Sequence, residues 1–335
     1  MTGARRPSGV RDPDGFSAQM LTGLLIAGAP QRFLRRLLAE FPTPSAWRAS
    51  PLLEGEDQRW RDVAPVDPLA RTLLLTDDEY PWVFRGLSSP PVLLYVDGDD
   101  RLLAPAVCLT GLRAPGALGR SVVGVVTEEA ASLAAPVAIG TDAGSDELSA
   151  RSALERGCRV VLIPACGLDV LPERVRELGR DVVASGGCVA TQFPPGTRES
   201  SQTVVARSRL LAAVSAPLVV VEADVPSAAT RLAAETLRVG APLVVPFPPP
   251  ALRRELGARG LLALAGVEHV KDLRWPEDLS ARAGVNGFAN ALPDDGHELR
   301  QAVRLFWWLR PRSDDDLLRR ASKSAERALG HGEVT

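Results

Sequence analysis

Four short segments of this chain carry residues able to handle an anion. The first is Thr110-Gly111-Leu112-Arg113, with Gly119 a few residues on. A glycine directly behind a strand, and another where the next helix starts, let backbone N–H groups approach a phosphate at a point that the helix N-terminus makes favourable to negative charge. An ordinary strand-to-helix turn has the same look. This is not the spaced three-glycine dinucleotide fingerprint, and no acidic residue stands out as a ribose partner, which argues against a nicotinamide cofactor. In the second segment, Gly140-Thr141-Asp142-Ala143-Gly144-Ser145-Asp146, two glycines four apart open a helix for which Asp146 is read as the N-cap. It is either an anion-accepting nest or a tight turn. The third is the turn Phe193-Pro194-Pro195-Gly196-Thr197, and the fourth is Arg207-Ser208-Arg209 on a helix that runs into Leu210 and Leu211. Arginines two apart on a helix point in different directions, so one can fork to phosphate while the other pairs with an acid. A solvated helix face is the plainer alternative.

Other chemistries find less support. Asp146 and Glu222 are the best-placed carboxylates for cleaving a glycosidic bond, but no second acid or Pro-Gly-Gly motif accompanies them. The four cysteines, Cys108, Cys158, Cys166 and Cys188, have no paired zinc spacing and lie far in sequence from His269, His297 and His331. They read as small buried hydrophobes, and no metal or cofactor is expected.

The elements that must position these segments follow from the pattern of the whole chain. Its 335 residues suggest about two domains. With 45% hydrophobic and 24% charged residues it has ordinary globular usage. No apolar run approaches a membrane span, and the first 14 residues lack the apolar stretch of a signal peptide; the chain is therefore expected to be cytoplasmic. A net charge of −2 denies it a global basic field while leaving room for a local basic groove. Only Lys271 and Lys323 are lysines among the 39 basic residues, an imbalance that reflects coding bias more than selection for phosphate forks.

Residues 1–15, rich in Gly, Pro and Arg, read as a disordered arm. Met20, Leu21, Leu24 and Leu25, then Phe33, Leu34, Leu37 and Leu38, recur at helical spacing on either side of Gly28-Ala29-Pro30 and predict a helical hairpin. A Pro-rich linker completes a module over 16–68, with Trp60 packing back onto it. Beyond it, strands are expected at 92–96, 106–110, 136–139, 159–164, 181–184, 218–222 and 243–246. Helices are expected at 122–134, 146–156, 172–178, 203–214 and 228–239. Such alternation predicts an α/β fold: an extended Rossmann-like, doubly wound, mostly parallel sheet over 69–280, with helices on both faces. Glycines behind the strands, at Gly111, Gly140 to Gly144, Gly167 and Gly186-Gly187, mark the edge where such sheets bind ligands. A helical C-terminal region, 281–335, with one helix at 298–310 and a charged one at 314–329, is expected to cap the sheet. The Trp307-Trp308 pair offers it a face for a protein partner.

Taken together and in order, these segments resemble the DNA-processing protein A family, also called Smf. The resemblance begins at Asp78-Glu79-Tyr80-Pro81 and Pro90 to Gly98. It continues through Thr110-Gly111-Leu112-Arg113, where the family has Val-Gly-Ser-Arg, and Gly140 to Asp146, where it has Gly-Leu-Ala-Arg-Gly-Ile-Asp. Cys166-Gly167-Leu168-Asp169, Pro194-Pro195-Gly196, Arg207-Ser208-Arg209 in place of Arg-Asn-Arg, Val221-Glu222-Ala223, Val245-Pro246 and Gly260 to Val267 complete it. It covers roughly 70–280, and the hairpin at 16–50 is similar to the family's N-terminal helical module. The chain departs from the family at Ala143 (usually Arg), Ala150 (His) and Gln192 (Glu), and has Pro226-Ser227-Ala228 where the family has Ser-Gly-Ser.

The resemblance implies a protein without catalysis that binds single-stranded DNA, hands it to the RecA recombinase in natural transformation, and dimerises through its Rossmann domain. It also implies Gly111, Arg113, Gly119, Gly140, Gly144, Asp146, Arg207 and Arg209 as the DNA- or phosphate-binding set, with Phe193 a candidate stacking platform. Residues 101–219 hold 12 arginines against 11 acids, so any such binding is expected to be local and modest. A nucleotide-cleaving enzyme in the same cleft, and a non-binding scaffold, are the competing readings.

Overall fold

A computed structural model describes residues 16–40, 60–223, 227–244, 297–308 and 310–313. The expected arm at 1–15, most of the Pro-rich linker, the segments at 245–246 and 260–267 and the helix at 314–329 lie outside the described residues.

Helices α1 (Phe16–Ile26) and α2 (Gln31–Glu40) form the expected hairpin. Their apolar stripe, with Leu21, Leu34 and Leu37 fully buried, packs with Trp60 against Leu74, Leu93 and Tyr95. The last three belong to β1 (Arg71–Leu74) and β2 (Leu93–Gly98), which are separated by the short α3 (Trp82–Arg85). A fixing contact crosses this junction: the Thr22 and Tyr95 hydroxyls lie 2.9 Å apart and are buried.

From there the chain winds as β3 (Ala106–Thr110), α4 (Ala117–Ser132), β4 (Val137–Ile139), α5 (Ser145–Glu155), β5 (Val160–Leu162), α6 (Glu173–Ala184), β6 (Cys188–Thr191), α7 (Ser201–Val214), β7 (Ser215–Val220), α8 (Ala228–Arg238) and β8 (Leu243–Val244). The eight strands form one sheet in the order β1-β2-β6-β5-β4-β3-β7-β8. Strands β3 to β8 are parallel to one another, while β2 runs antiparallel to β1 and β6. The mostly parallel, doubly wound sheet is thus the one the alternation predicts.

Both faces of the sheet are covered because successive side chains alternate. Val107, Leu109, Val137, Ile139 and Val219 point into a core shared with α4, α5 and α6. Ala106, Cys108, Ala138, Leu218 and Val220 point into the opposite core, under α3, α7 and α8. All four cysteines are free and buried, and burial pushes the Cys108 thiol up to about 12. They behave as the small hydrophobes they were read to be. Helix α9 (His297–Trp308) lies against α4, with Ala302, Val303, Phe306 and Trp307 completing the first core. Arg300 pairs with Glu128 at 2.9 Å, and Arg304 pairs with the buried Glu129.

Two expectations need correction, and one strand was not foreseen. Residues 181–184 end helix α6, and the strand comes after them as Cys188–Thr191; of the apolar run Val182-Val183-Ala184, Val182 completes the helix's buried stripe with Val175 and Leu178, while Ala184 is exposed. Strand β1 escapes sequence reading because only Leu73 and Leu74 of its four residues are buried. Trp307 and Trp308 do not share a face: Trp307 is buried and Trp308 is 70% exposed, since adjacent helical residues point apart.

Candidate functional site

The strand order reverses between β3 and β7. From β3 the chain steps through β4, β5 and β6 to one side and then returns to place β7 on the other. Open α/β sheets take ligands in the crevice beyond the carboxyl ends of the strands at such a reversal. The loops after β3 and β4, the end of β7 and one side of α7 meet there.

The backbone interlocks first. The Leu112 carbonyl accepts the Ser145 N–H at 2.9 Å. Gly144 has a φ of +86°, a conformation that favours glycine, and any Cβ there would collide with the Arg113 backbone. At Gly111 a Cβ would come within 2.6 Å of the Ser145 Oγ and 3.0 Å of the Glu222 carbonyl oxygen. Glycine at these two positions is therefore a packing requirement that brings the 110–116 and 140–144 loops together.

Charge comes next. Arg207, on α7, is 3% exposed and donates to Asp142 at 2.8 and 3.5 Å. Asp146 is also buried and accepts the Asp142 N–H at 3.3 Å. Between them sits Gly140, whose missing side chain leaves room for the Asp146 carboxylate and for the Arg207 guanidinium, which a Cβ would meet at 3.1 Å. Burial and the neighbouring Asp142 push the Asp146 carboxyl up to about 7, against the pull of Arg207, the Asp142 N–H and Arg174. Burial opposes the charge on Arg207 as well, but Asp142, Asp146 and Glu199 outweigh it and the guanidinium stays charged. One buried cation thus faces two carboxylates.

The structure sorts the residues singled out from sequence. Arg113 and Arg209 are exposed at the surface, and neither forms an ion pair with a described residue. Arg207 is committed to an internal pair. Asp146 is not the N-cap of α5; Gly144 is, without a side-chain cap, and Asp146 belongs to the first turn of the helix. The Gly116 and Gly119 N–H groups at the start of α4 already hold an anion: they donate to the Glu222 carboxylate at 2.7 and 3.2 Å. Phe193 is half-buried, next to a turn held in place when Asp169 accepts the Gly196 N–H through both oxygens, at 3.0 and 2.9 Å. The Gly167 to Asp169 and Pro194 to Thr197 motifs thus meet. Arg174 was missed. It reaches from α6 to donate to the Thr141 carbonyl at 3.1 Å and approaches Glu147 at 3.7 Å; no local motif marks a cation that arrives from a separate helix.

Gly186 and Gly187 lie at the other end of the sheet, before β6, and not with the ligand loops. Gly186 helps line a charged cavity of about 890 Å³ with Arg71, Glu79, Asp99, Asp100, Arg101 and Arg159. Among the described residues no cluster of His, Cys, Asp and Glu could hold a metal, and no helix is long and apolar enough to cross a membrane.

The sheet reversal and the glycine-built loops together define a doubly wound α/β protein with the buried Arg207–Asp142 pair at its β3/β7 crevice. The family described as DNA recombination-mediator protein A matches residues 71–265, more than half of the chain, and the chain belongs to that family. Among curated relatives it is 28% identical over 154 residues to DNA processing protein DprA of Streptococcus pneumoniae, covering 46% of this chain and 54% of that one. It is 30% identical over 184 residues to putative DNA processing protein DprA of Mycobacterium tuberculosis, covering 51% of this chain and 47% of that one. The chain thus spans about half the length of these relatives. The X-ray structure of the Streptococcus pneumoniae DNA processing protein A has the same fold, with a TM-score of 0.54 at 19% identity over 80% of this chain and 93% of that one.

Proposed function

We propose that this chain is a recombination mediator that binds single-stranded DNA without catalysis, in the setting of DNA uptake and natural transformation, and passes the strand as a homodimer to a RecA recombinase. The observation that carries this reading is the family match over 71–265, a span that contains the whole rim from Gly111 to Glu222. Its physical support is the distribution of charge. Arg113, on the loop after β3, and Arg209, on α7, are exposed cations, and Arg174 is a half-buried third. Arg207 serves instead to hold α7 to the 140–144 loop through Asp142. Asp142 stands where the family motif has Ala, and Ala143 where it has Arg, so this rim carries less positive charge than that motif implies.

Backbone phosphates attract such a rim through counterion release, with a salt slope of roughly −0.7 per phosphate contact for single strands. Two exposed arginines therefore predict a shallow slope, on the order of −1 to −2. Fluorescence anisotropy with labelled oligothymidine, at low and physiological salt and beside a duplex of the same length, tests the reading. The expected result is saturable binding that prefers the single strand, with Arg113→Ala and Arg209→Ala each weakening it and flattening the slope by roughly 0.7. Absence of binding at low salt rejects it.

A further inference from the structure

Glu222 stands at the rim but takes no part in the DNA-binding reading. It leaves β7 at the sheet reversal and is only 8% exposed. Across more than a hundred residues of sequence it reaches the start of α4, where the Gly116 and Gly119 N–H groups donate to its two carboxylate oxygens at 2.7 and 3.2 Å. Gly116 is the N-cap of α4 and has no side chain of its own to do this work. Both glycines are fitted to the carboxylate: a Cβ on Gly119 would lie 2.7 Å, and on Gly116 3.2 Å, from a Glu222 oxygen. No described arginine forms an ion pair with Glu222, so its charge rests on amides and the end of a helix, the environment that also binds phosphate. On the other side of the same turn, the Ser145 Oγ is fully buried, has no hydrogen-bond partner and faces the Cα of Gly111.

We propose that Glu222 is a built-in anion occupying the phosphate-accepting turn between β3 and α4, so that the crevice is closed to free phosphate groups and opens to inorganic phosphate or a phosphomonoester when the carboxylate is removed. The carboxylate does the job a ligand phosphate does in sheets of this type: it gives the first turn of α4 its acceptors and ties the loop carrying Arg113 to β7. It follows that Glu222 is a positioning residue and no acid for glycosidic cleavage, and that a DNA strand at this rim meets side chains and not the amides of α4. This inference does not depend on the protein binding DNA.

The test uses the full chain with inorganic phosphate as probe, against chloride at matched ionic strength. Thermal unfolding of the unsubstituted protein is expected to be indifferent to phosphate. Glu222→Ala is expected to melt lower in chloride and to recover in a saturable manner as phosphate is added, because a ligand that binds only the folded state raises its stability by mass action. Glu222→Gln keeps the volume of the side chain and serves as the folded variant should the alanine protein fail to fold; its amide nitrogen meets one of the two N–H groups, so it too should gain a response to phosphate. In the unsubstituted protein labelled with ¹⁵N-glycine, the Gly116 and Gly119 amide resonances should stay in place through the titration. Saturable movement of those two resonances, or variants that respond no more than the parent, would overturn the proposal.

Discussion

The two ends of the sheet both gather arginines and carboxylates, and they use them in opposite ways. Beyond the carboxyl ends of β3 and β4, Arg207 and Asp146 are buried and Asp142 nearly so, with one cation against two acids and glycines at the points of closest approach. At the other end, Arg101 pairs with Asp99 at 2.8 Å and Arg71 with Asp100 at 2.9 Å, while the arginines are at least half exposed. Water screens the second cluster and leaves its members nearly independent. Removal from water makes the first cluster mutually dependent, because a buried charge without its partner is costly. The presence of charge does not make a cluster mutually dependent; desolvation and converging loops do.

The comparison breaks most readily at its strongest contact. Asp142→Ala takes from the buried Arg207 guanidinium the carboxylate it hydrogen-bonds, leaving Asp146 as its remaining buried acid, and should cost about 3 kcal/mol, whereas Asp99→Ala at the other end should cost far less; urea unfolding of both variants measures the difference. Next come the glycines. Gly144→Ala combines a φ of +86° with a collision against the Arg113 backbone and should cost about 2 to 4 kcal/mol. Gly186→Ala has a similar φ of +76° but open space around it, so only the backbone term remains, about 1 to 2 kcal/mol.

A further test sharpens the contrast through pH. The Asp146 carboxyl is raised to about 7 when folded, above the ordinary value of about 4 that it regains on unfolding. Between these values the folded state holds a proton that the unfolded state has lost, so the contribution is complete below about pH 4 and is lost as pH rises to about 7. Stability measured relative to Asp146→Asn should therefore fall across that interval and level off above it. A flat difference across the interval would show that Asp146 ionises freely, and would remove the distinction between the two ends.

Much of this was legible in the sequence. The apolar runs at 106–110 and 137–139 announced buried parallel strands, and the helices between them fixed a sheet covered on both faces. The motifs at Gly111, Gly140 and Arg207 pointed to one rim because βαβ winding puts every loop after a parallel strand at the same end. Cys188 to Thr191 was lost to the preceding Val182-Val183-Ala184 run, since a short apolar stretch does not by itself distinguish a strand from a buried helix turn. At the site, sequence supplied the residue types but not their allegiances. Arg207 and Arg209 look equivalent on paper; one turns inward to Asp142 and the other faces solvent.

The sequence by itself determined the doubly wound sheet, the end at which its loops converge and the family to which the chain belongs, because periodicity, glycine placement and short motifs are local properties of the chain. Only the tertiary structure decided which charges are already satisfied. The pairs Asp142 with Arg207, Glu222 with the Gly116 and Gly119 amides, and Arg174 with Thr141 join residues 33 to 106 positions apart. Their strength depends on how much water the fold excludes around them, a quantity that no stretch of sequence carries.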